Sequence, residues 1–154
     1  MGCKLKVCFF KPESDLNPVT VERYEANILG CTRQFRYSTA NTNTIDMALS
    51  VNGIPVVALE LKNQFTGQDY ICAINQYKND RSSKEFAFRL NHRFLVYFAV
   101  DLYEVWMTTQ LADSNTRFLP FNQGSNGAGV TGGAGNPQNP NGYDTSYLWE
   151  EVLQ

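Results

Sequence analysis

The middle of the chain contains three charged residues that could carry out metal-dependent chemistry together, Asp46, Glu60 and Lys62. Two converging carboxylates repel each other unless a cation lies between them, and oxygen ligands suit a hard ion such as Mg²⁺ or Mn²⁺. A lysine beside that ion could neutralise the charge that builds on a phosphate during phosphodiester hydrolysis. The competing interpretation is a strand that emerges into water at Glu60 and Lys62, with Asp46 as a chance acid at a strand start. It is sufficient for Glu60 and Lys62 alone, and an acid in phase on the preceding strand favours the site.

The segment that joins these residues predicts a β-hairpin, whose register decides whether the charges meet. "NTIDMALSV" and "IPVVALELK" alternate around "NG", a strong hairpin signal. A two-residue loop would put Asp46 opposite Leu59 and mix charged with apolar side chains. A three-residue loop, residues 51–53, puts Asp46 opposite Ala58 and makes Asp46 and Glu60 diagonal neighbours, roughly 7 Å apart at their Cα atoms. We therefore predict the three-residue loop, with both carboxylates on one face.

The flanking segments predict the elements that must position this hairpin. "NPVTVERYEANILG" predicts a first helix with Pro18 in its first turn and Gly30 as its stop, followed by the strand "CTRQFRYST". "TGQDYICAINQYKNDR" predicts a second helix capped by Thr66 and Asp69. "RFLVYFAV" and "EVWMTTQL" predict two further strands. The order of helix, three strands, helix and two strands indicates an α/β or α+β domain, a sheet with helices packed on it.

Composition excludes several classes of protein. A chain of 154 residues that is 43% hydrophobic is long enough for one domain with a real core. The four cysteines form no CxxC pair and His92 is the only histidine, so a zinc site is not expected, and reduced thiols suggest a cytoplasmic protein. No apolar run approaches the length of a membrane span. Residues 1–93 carry twelve basic against nine acidic side chains. Counted alone, these favour solvated surface charges, and a phosphate backbone, if one binds, would meet this part of the chain.

The C-terminal third differs from the rest. Residues 1–121 are interpreted as the folded domain, whereas residues 122–143 contain seven glycines and five asparagines and predict a loop or linker. No lysine follows Lys84, so the glycine-rich stretch is not an ATP-binding loop. Residues 144–154 predict the start of a helix, capped by Asp144 or Thr145, that leads toward a further domain missing from the chain.

Several ordered motifs resemble the PD-(D/E)XK nuclease superfamily. "TIDMALSVNGIPVVALELKNQ" resembles its core, and "RQ", "NGIP", "ELKN" and a glutamine-bearing helix follow one another as they do in the nuclease domain of the motor, or R, subunit of type I restriction enzymes. The stretches "HRFLVYFAVDLYEVWMTTQL", "TRFLPFNQG", "GGAGNP" and "GYDTSYLWEEVLQ" are also similar to one branch of these subunits. The likeness runs from about Arg23 to the end of the chain.

The resemblance implies a Mg²⁺-dependent DNA endonuclease, in which Mn²⁺ could replace Mg²⁺, with a restriction-endonuclease-like core of a central mixed sheet flanked by helices. Asp46 and Glu60 would hold the metal, the backbone carbonyl of Leu61 would add a ligand, and Lys62 would be the catalytic lysine. Glu22 and Glu25 on the first helix are candidate outer ligands in such folds.

The second helix carries the other implied contacts. Gln76 matches the glutamine of the family's QxxxY element, but Asp80 stands where the tyrosine is expected, and Tyr77 or Arg81 could substitute for it. Gln76, Lys78 and Arg81 are the predicted DNA contacts, with a solvated helix face as the competing interpretation.

The resemblance also implies partners. Double-stranded DNA would be the substrate, an ATP-driven translocase would follow in the same polypeptide, and methyltransferase and specificity subunits would complete a cytoplasmic complex with no membrane partner. ATP would bind only in the missing motor domains. The alternative function is a non-catalytic DNA-binding or subunit-interaction module that retains the nuclease fold.

Overall fold

The sheet is built from strands that follow the predicted order along the chain. The computed structural model describes residues 6–90, 92–124, 126 and 133–154. The elements in these residues are α1 (Pro18–Glu25), β1 (Leu29–Arg36), β2 (Thr44–Val51), β3 (Ile54–Leu61), α2 (Tyr70–Asn79), β4 (Val96–Val100), β5 (Val105–Thr108) and β6 (Leu119–Pro120), with short helical turns at Gln64–Thr66, Phe86–Phe88 and Leu148–Val152.

The strands form a mixed sheet with the order β1-β2-β3-β4-β5-β6. All neighbouring pairs are antiparallel except β3 and β4, which are parallel and are joined through α2. A parallel pair needs such a crossover, because after β3 the chain must return to the end of the sheet at which β3 began before β4 can start. The predicted mixed α/β domain, with a central sheet and few helices, is confirmed. In the described part of the chain, no helix is long and apolar enough to cross a membrane.

Two clusters of buried side chains cover the two faces of the sheet. Tyr77 of α2 packs with Tyr97 and the alanines of β2 and β3 on one face. Leu59 packs with Phe98 and Leu148 on the other. Ala48 and Ala58 belong to the first cluster. Each lies two residues from a carboxylate on its own strand, Ala48 from Asp46 and Ala58 from Glu60, and therefore on the same face of the sheet. The face that carries the two carboxylates is therefore the face that α2 covers.

The boundaries of both helices differ from their predictions. α1 ends at Glu25, and Gly30 lies inside β1, where it pairs with Ser50. Asn27 ends the helix early, since its side-chain amide donates to the Tyr24 carbonyl at 2.9 Å. α2 is capped by Asp69, which accepts a hydrogen bond from the Cys72 amide at 3.0 Å, and not by Thr66.

The C-terminal segment returns to the sheet. Residues 122–124, 126 and 133–143 contain no helix or strand, and residues 125 and 127–132 of the predicted linker lie outside the described residues. The predicted helix start is one short π-helical turn, Leu148–Val152. Neither predicted cap serves it, because Asp144 accepts from the Asn139 amide and the Thr145 hydroxyl donates to the Asp101 carbonyl. Leu148 is fully buried against the sheet.

The register of the β2–β3 hairpin corrects the prediction. Val51 pairs with Ile54, so the loop has two residues, Asn52 and Gly53, with φ of 51° and 82°. Positive φ at both positions is typical of a type I′ turn. The predicted three-residue loop is wrong, and so is the pairing of Asp46 with Ala58.

A bulge in β3 keeps charged and apolar side chains on separate faces of the hairpin, which a two-residue turn without a bulge would have mixed. Ser50 pairs with Pro55 but Leu49 pairs with Val57, so Val56 is the extra residue. Met47 then pairs with Leu59, and continuing this register by one residue sets Asp46 opposite Glu60. The two carboxylates share a face, as predicted, but they are direct rather than diagonal neighbours.

The turn is held by hydrogen bonds from outside the hairpin. The Asn52 side chain accepts from the Ile28 amide at 2.7 Å and donates to the Val7 carbonyl at 2.7 Å. These contacts favour the two-residue loop. The prediction failed because it assumed that the strand pairing beyond the loop contains no bulge. Without a bulge, a two-residue loop would have put the two carboxylates on opposite faces of the hairpin.

Candidate active site

Asp46 and Glu60 lie side by side on the two adjacent strands β2 and β3. Glu60 is fully buried and pairs with Ala99 of β4 on its other side. Asp46 Oδ2 accepts a hydrogen bond from the Leu61 amide at 2.9 Å, which holds its carboxylate against β3. The hairpin therefore brings together two acidic groups that are 14 residues apart in the sequence.

Arg81, just beyond the end of α2, turns inward to the same pair. Its Nε and Nη2 donate to Glu60 Oε1 at 3.0 and 2.8 Å, and Nη2 also donates to the Thr44 carbonyl at 2.8 Å. The guanidinium carbon lies 5.4 Å from the centre of the Tyr37 ring. Arg81 is 4% exposed. The structure places it inside the site and not on an exposed basic face.

The electrostatics of Glu60 are those of a carboxylate that lacks enough positive charge. Burial raises the pKa of Glu60 to about 8, the negative charge of Asp46 adds to this rise, and the positive charge of Arg81 opposes it. Within the described residues, Glu60 Oε2 is buried and has no hydrogen-bond partner. A buried unpaired carboxylate oxygen beside a second carboxylate fits a divalent cation, since such an ion would stabilise both charges.

Lys62 follows β3 directly and is held by its backbone and its side chain. Its amide donates to the Val100 carbonyl at 2.8 Å, which fixes the end of β3 against β4. Its Nζ donates to Oε1 of Gln76, on α2, at 2.7 Å. Lys62 is half-buried. Gln76 thus orients the ammonium group at the end of the strand that carries Glu60.

The two candidates for the missing tyrosine of the QxxxY element behave differently. Tyr77 is fully buried and its hydroxyl donates to the Phe98 carbonyl at 3.3 Å, so it belongs to the core. Arg81 reaches Glu60. Asp80, at the tyrosine position, is exposed and ends α2. Of the two, Arg81 is the residue that enters the site.

Gln34 is a site residue that sequence reasoning named only as part of the "RQ" motif. It lies in β1 with φ of 49°, and its side-chain amide approaches Asp46 Oδ1 at 3.4 Å. Its Oε1 accepts from the Thr44 hydroxyl at 2.7 Å. A non-glycine residue in this conformation costs about 1–3 kcal/mol, and such strain clusters at functional sites. The "RQ" motif was the available signal, but it did not specify this contact.

Of the two carboxylates, Asp46 lines a polar cleft. A cavity of about 620 Å³ is lined by Gln34, Thr42, Asn43, Thr44, Asp46, Gln76, Asp80 and Arg81. A second cavity of about 400 Å³ on the Lys62 side shares Gln76 and Asp80 with it. Because pockets for small organic ligands are mostly apolar, this lining suits a polar substrate such as a phosphate backbone.

Other predicted ligands are not brought to the pair. The Asn27 side chain, just after α1, contacts Asn52 at the hairpin turn, six residues or roughly 20 Å along β2 from Asp46. Glu22 and Glu25 of α1 therefore lie away from the carboxylates. No cluster of three or more His, Cys, Asp or Glu side chains that could hold a metal occurs in residues 6–90, 92–124, 126 and 133–154.

Two predictions stay open. The Leu61 amide donates to Asp46, and the Leu61 carbonyl stays a predicted metal ligand. Lys78 is half-buried in the last turn of α2 and stays a predicted DNA contact.

Comparison with known proteins gives one match. The family model described as type I restriction enzyme R protein N terminus (HSDR_N) matches residues 7–116. The matched range includes all the site residues described above, from Gln34 to Arg81. No curated protein and no solved structure matches the chain significantly.

Proposed function

Because the chain belongs to the family of type I restriction enzyme R protein N termini, we propose that it is the DNA endonuclease domain of such an enzyme, with a PD-(D/E)XK core. The observation that supports this proposal is the register of β2 and β3, which sets Asp46 opposite Glu60, with Lys62 directly after β3 and Asp46 lining an open polar cleft. Family membership supports a restriction system, and this geometry supports catalysis within it.

The two carboxylates are the proposed metal ligands, with the Leu61 carbonyl as a third. Mg²⁺, or Mn²⁺ in its place, would polarise the scissile phosphate and lower the pKa of a bound water. The chain contributes a preformed pair of acids whose positions are set by sheet pairing, by the Leu61 amide and by Arg81. Little rearrangement is then needed to bind the ion.

Lys62 is proposed to stabilise the charge that develops on the phosphate. An ammonium group has three N–H donors, and one of them is used by Gln76 at 2.7 Å. Two donors remain for a phosphoryl oxygen and the attacking water. Fixing the ammonium before the substrate binds makes the stabilisation effective, because no reorganisation is required during the reaction.

The remaining parts of the proposal concern DNA and the whole enzyme. Gln76 and Lys78 are the proposed contacts of α2 with double-stranded DNA, whereas Arg81, predicted with them, is engaged with Glu60. In the complete cytoplasmic enzyme, ATP-driven motor domains would move DNA past this site. Methyltransferase and specificity subunits would select the sequence.

The test is cleavage of long double-stranded DNA by the intact subunit complex with ATP and Mg²⁺. Lys62→Ala should reduce the cleavage rate about 10²-fold or more, while ATP hydrolysis on DNA stays unchanged. Lys11→Ala, which removes an exposed lysine, is the matched control and should cleave normally. Cleavage by Lys62→Ala at the rate of the wild type would overturn the proposal. DNA binding without Mg²⁺-dependent cutting by the wild type would instead favour a non-catalytic module.

A further inference from the structure

Each carboxylate of the pair has one oxygen engaged and one oxygen less constrained. Asp46 Oδ2 accepts from the Leu61 amide at 2.9 Å, and Glu60 Oε1 accepts from two nitrogens of Arg81 at 3.0 and 2.8 Å. Glu60 Oε2 has no partner in the described residues, and Asp46 Oδ1 has only the long 3.4 Å contact from Gln34. Two oxygens, one from each acid, therefore remain for a metal ion.

Arg81 is fixed on the other side of Glu60. It is 4% exposed, its Nη2 also donates to the Thr44 carbonyl at 2.8 Å, and its guanidinium lies over the Tyr37 ring. Arginine stays protonated in proteins, so this positive charge cannot be lost by deprotonation. A cation that shares Oε1 would have to displace a buried guanidinium from three hydrogen bonds.

The charges and ligands of the site also favour one metal ion over two. When both carboxyl groups are ionised, as metal binding requires, Asp46 and Glu60 supply two negative charges, and Arg81 and Lys62 supply two positive ones. Two-ion phosphodiesterase sites hold their ions about 3.5–4 Å apart, which requires ligands that bridge or surround both ions. No third acidic side chain joins the pair in the described part of the chain. While Arg81 occupies Glu60 Oε1 and the Thr44 carbonyl, one divalent ion is therefore what these ligands can accommodate.

We propose that Arg81 is a positioning residue that takes the place of a second metal ion, so that the site binds one divalent cation through Glu60 Oε2 and Asp46 Oδ1. This inference rests on the proposed nuclease function and adds the number of ions and the role of Arg81. It also accounts for an inward-facing arginine directly after Asp80, the residue at the tyrosine position of the QxxxY element.

The test counts Mn²⁺ ions bound by the purified protein, using electron paramagnetic resonance of free Mn²⁺ during a titration. The wild type should bind one ion that is absent in Glu60→Gln. Arg81→Ala should bind a second ion, because it frees Glu60 Oε1 and the Thr44 carbonyl. Arg89→Ala is the matched control, since Arg89 is exposed and its Nε donates to the Lys84 carbonyl, and it should bind one ion.

The outcomes separate this inference from the function on which it rests. Two ions in the wild type would overturn the role of Arg81 and leave the metal-dependent nuclease standing, whereas no ion would overturn both. One ion in a folded Arg81→Ala, with unchanged affinity, would also overturn the inference. If Arg81→Ala does not fold, Arg81→Lys keeps the charge and should bind one ion, and a second ion there would contradict the proposal.

Discussion

Glu60→Gln tests the electrostatic description of the site through stability rather than activity. In the metal-free protein, burial raises the pKa of Glu60 from 4.5 to about 8. Between these two values the folded state binds more protons than the unfolded state, so the free energy of unfolding falls as pH rises. Glutamine does not titrate, and the variant should lack this component of the pH dependence.

The size of the effect follows from the two pKa values. Linkage between an unfolded pKa of 4.5 and a folded pKa of about 8 predicts a loss of about 3–4 kcal/mol in the free energy of unfolding from about pH 5 to about pH 8. Glu60→Gln also replaces the carboxyl oxygen that Arg81 contacts by an amide oxygen, and because glutamine does not titrate, the state of the variant site is the same at both pH values. The pH dependence of the difference, and not its absolute value, is therefore the informative quantity.

The assay is urea unfolding followed by tryptophan fluorescence in the presence of EDTA, at about pH 5 and about pH 8. The free energy of unfolding of the wild type minus that of Glu60→Gln should decrease by about 3–4 kcal/mol over this interval. Glu13→Gln, at an exposed position, should run parallel to the wild type. A difference that is independent of pH, or that grows with it, would refute the buried, under-compensated state of Glu60.

Three further substitutions probe the elements around the site. Gln76→Ala removes the acceptor of the Lys62 ammonium and should slow DNA cleavage by about tenfold or more with little change in Tm, which cleavage assays and calorimetry would measure together. Gly53→Ala forces a side chain into φ of 82° and should lower the free energy of unfolding by about 1 kcal/mol in urea titrations. Asp101→Ala removes the acceptor of the Tyr70, Tyr103 and Glu104 amides, and should cost about 1–3 kcal/mol and speed amide exchange at the start of α2. Unchanged amide exchange at Tyr70 would contradict that anchoring role.

The order of the elements could be read from the sequence because it depends on local patterns. Alternating apolar residues predicted β2 and β3, and the apolar spacing after Asp69 predicted α2. Their ends were less predictable, because side chains such as Asn27 stop a helix through contacts that its own sequence period does not show. β6 has only two residues and carries no period at all.

The residue types of the candidate site could be read from the sequence, and their contacts less so. Asp46, Glu60 and Lys62 were named from their charge and their position in apolar strands. The inward direction of Arg81 was not, since its partner is 21 residues away in the sequence. A basic residue near the end of a helix is usually solvated, and only packing against Tyr37 and β3 shows otherwise.

The sequence alone determined which residues could hold a cation, the order in which strands and helices present them, and the motifs that resemble R subunits of type I restriction enzymes. Tertiary structure decided the register, because a bulge at Val56 reconciles a tight Asn-Gly turn with a shared acidic face. It also decided the raised pKa of Glu60 and the commitment of Arg81. Burial and charge pairing depend on distances across strands and helices, which local patterns do not encode.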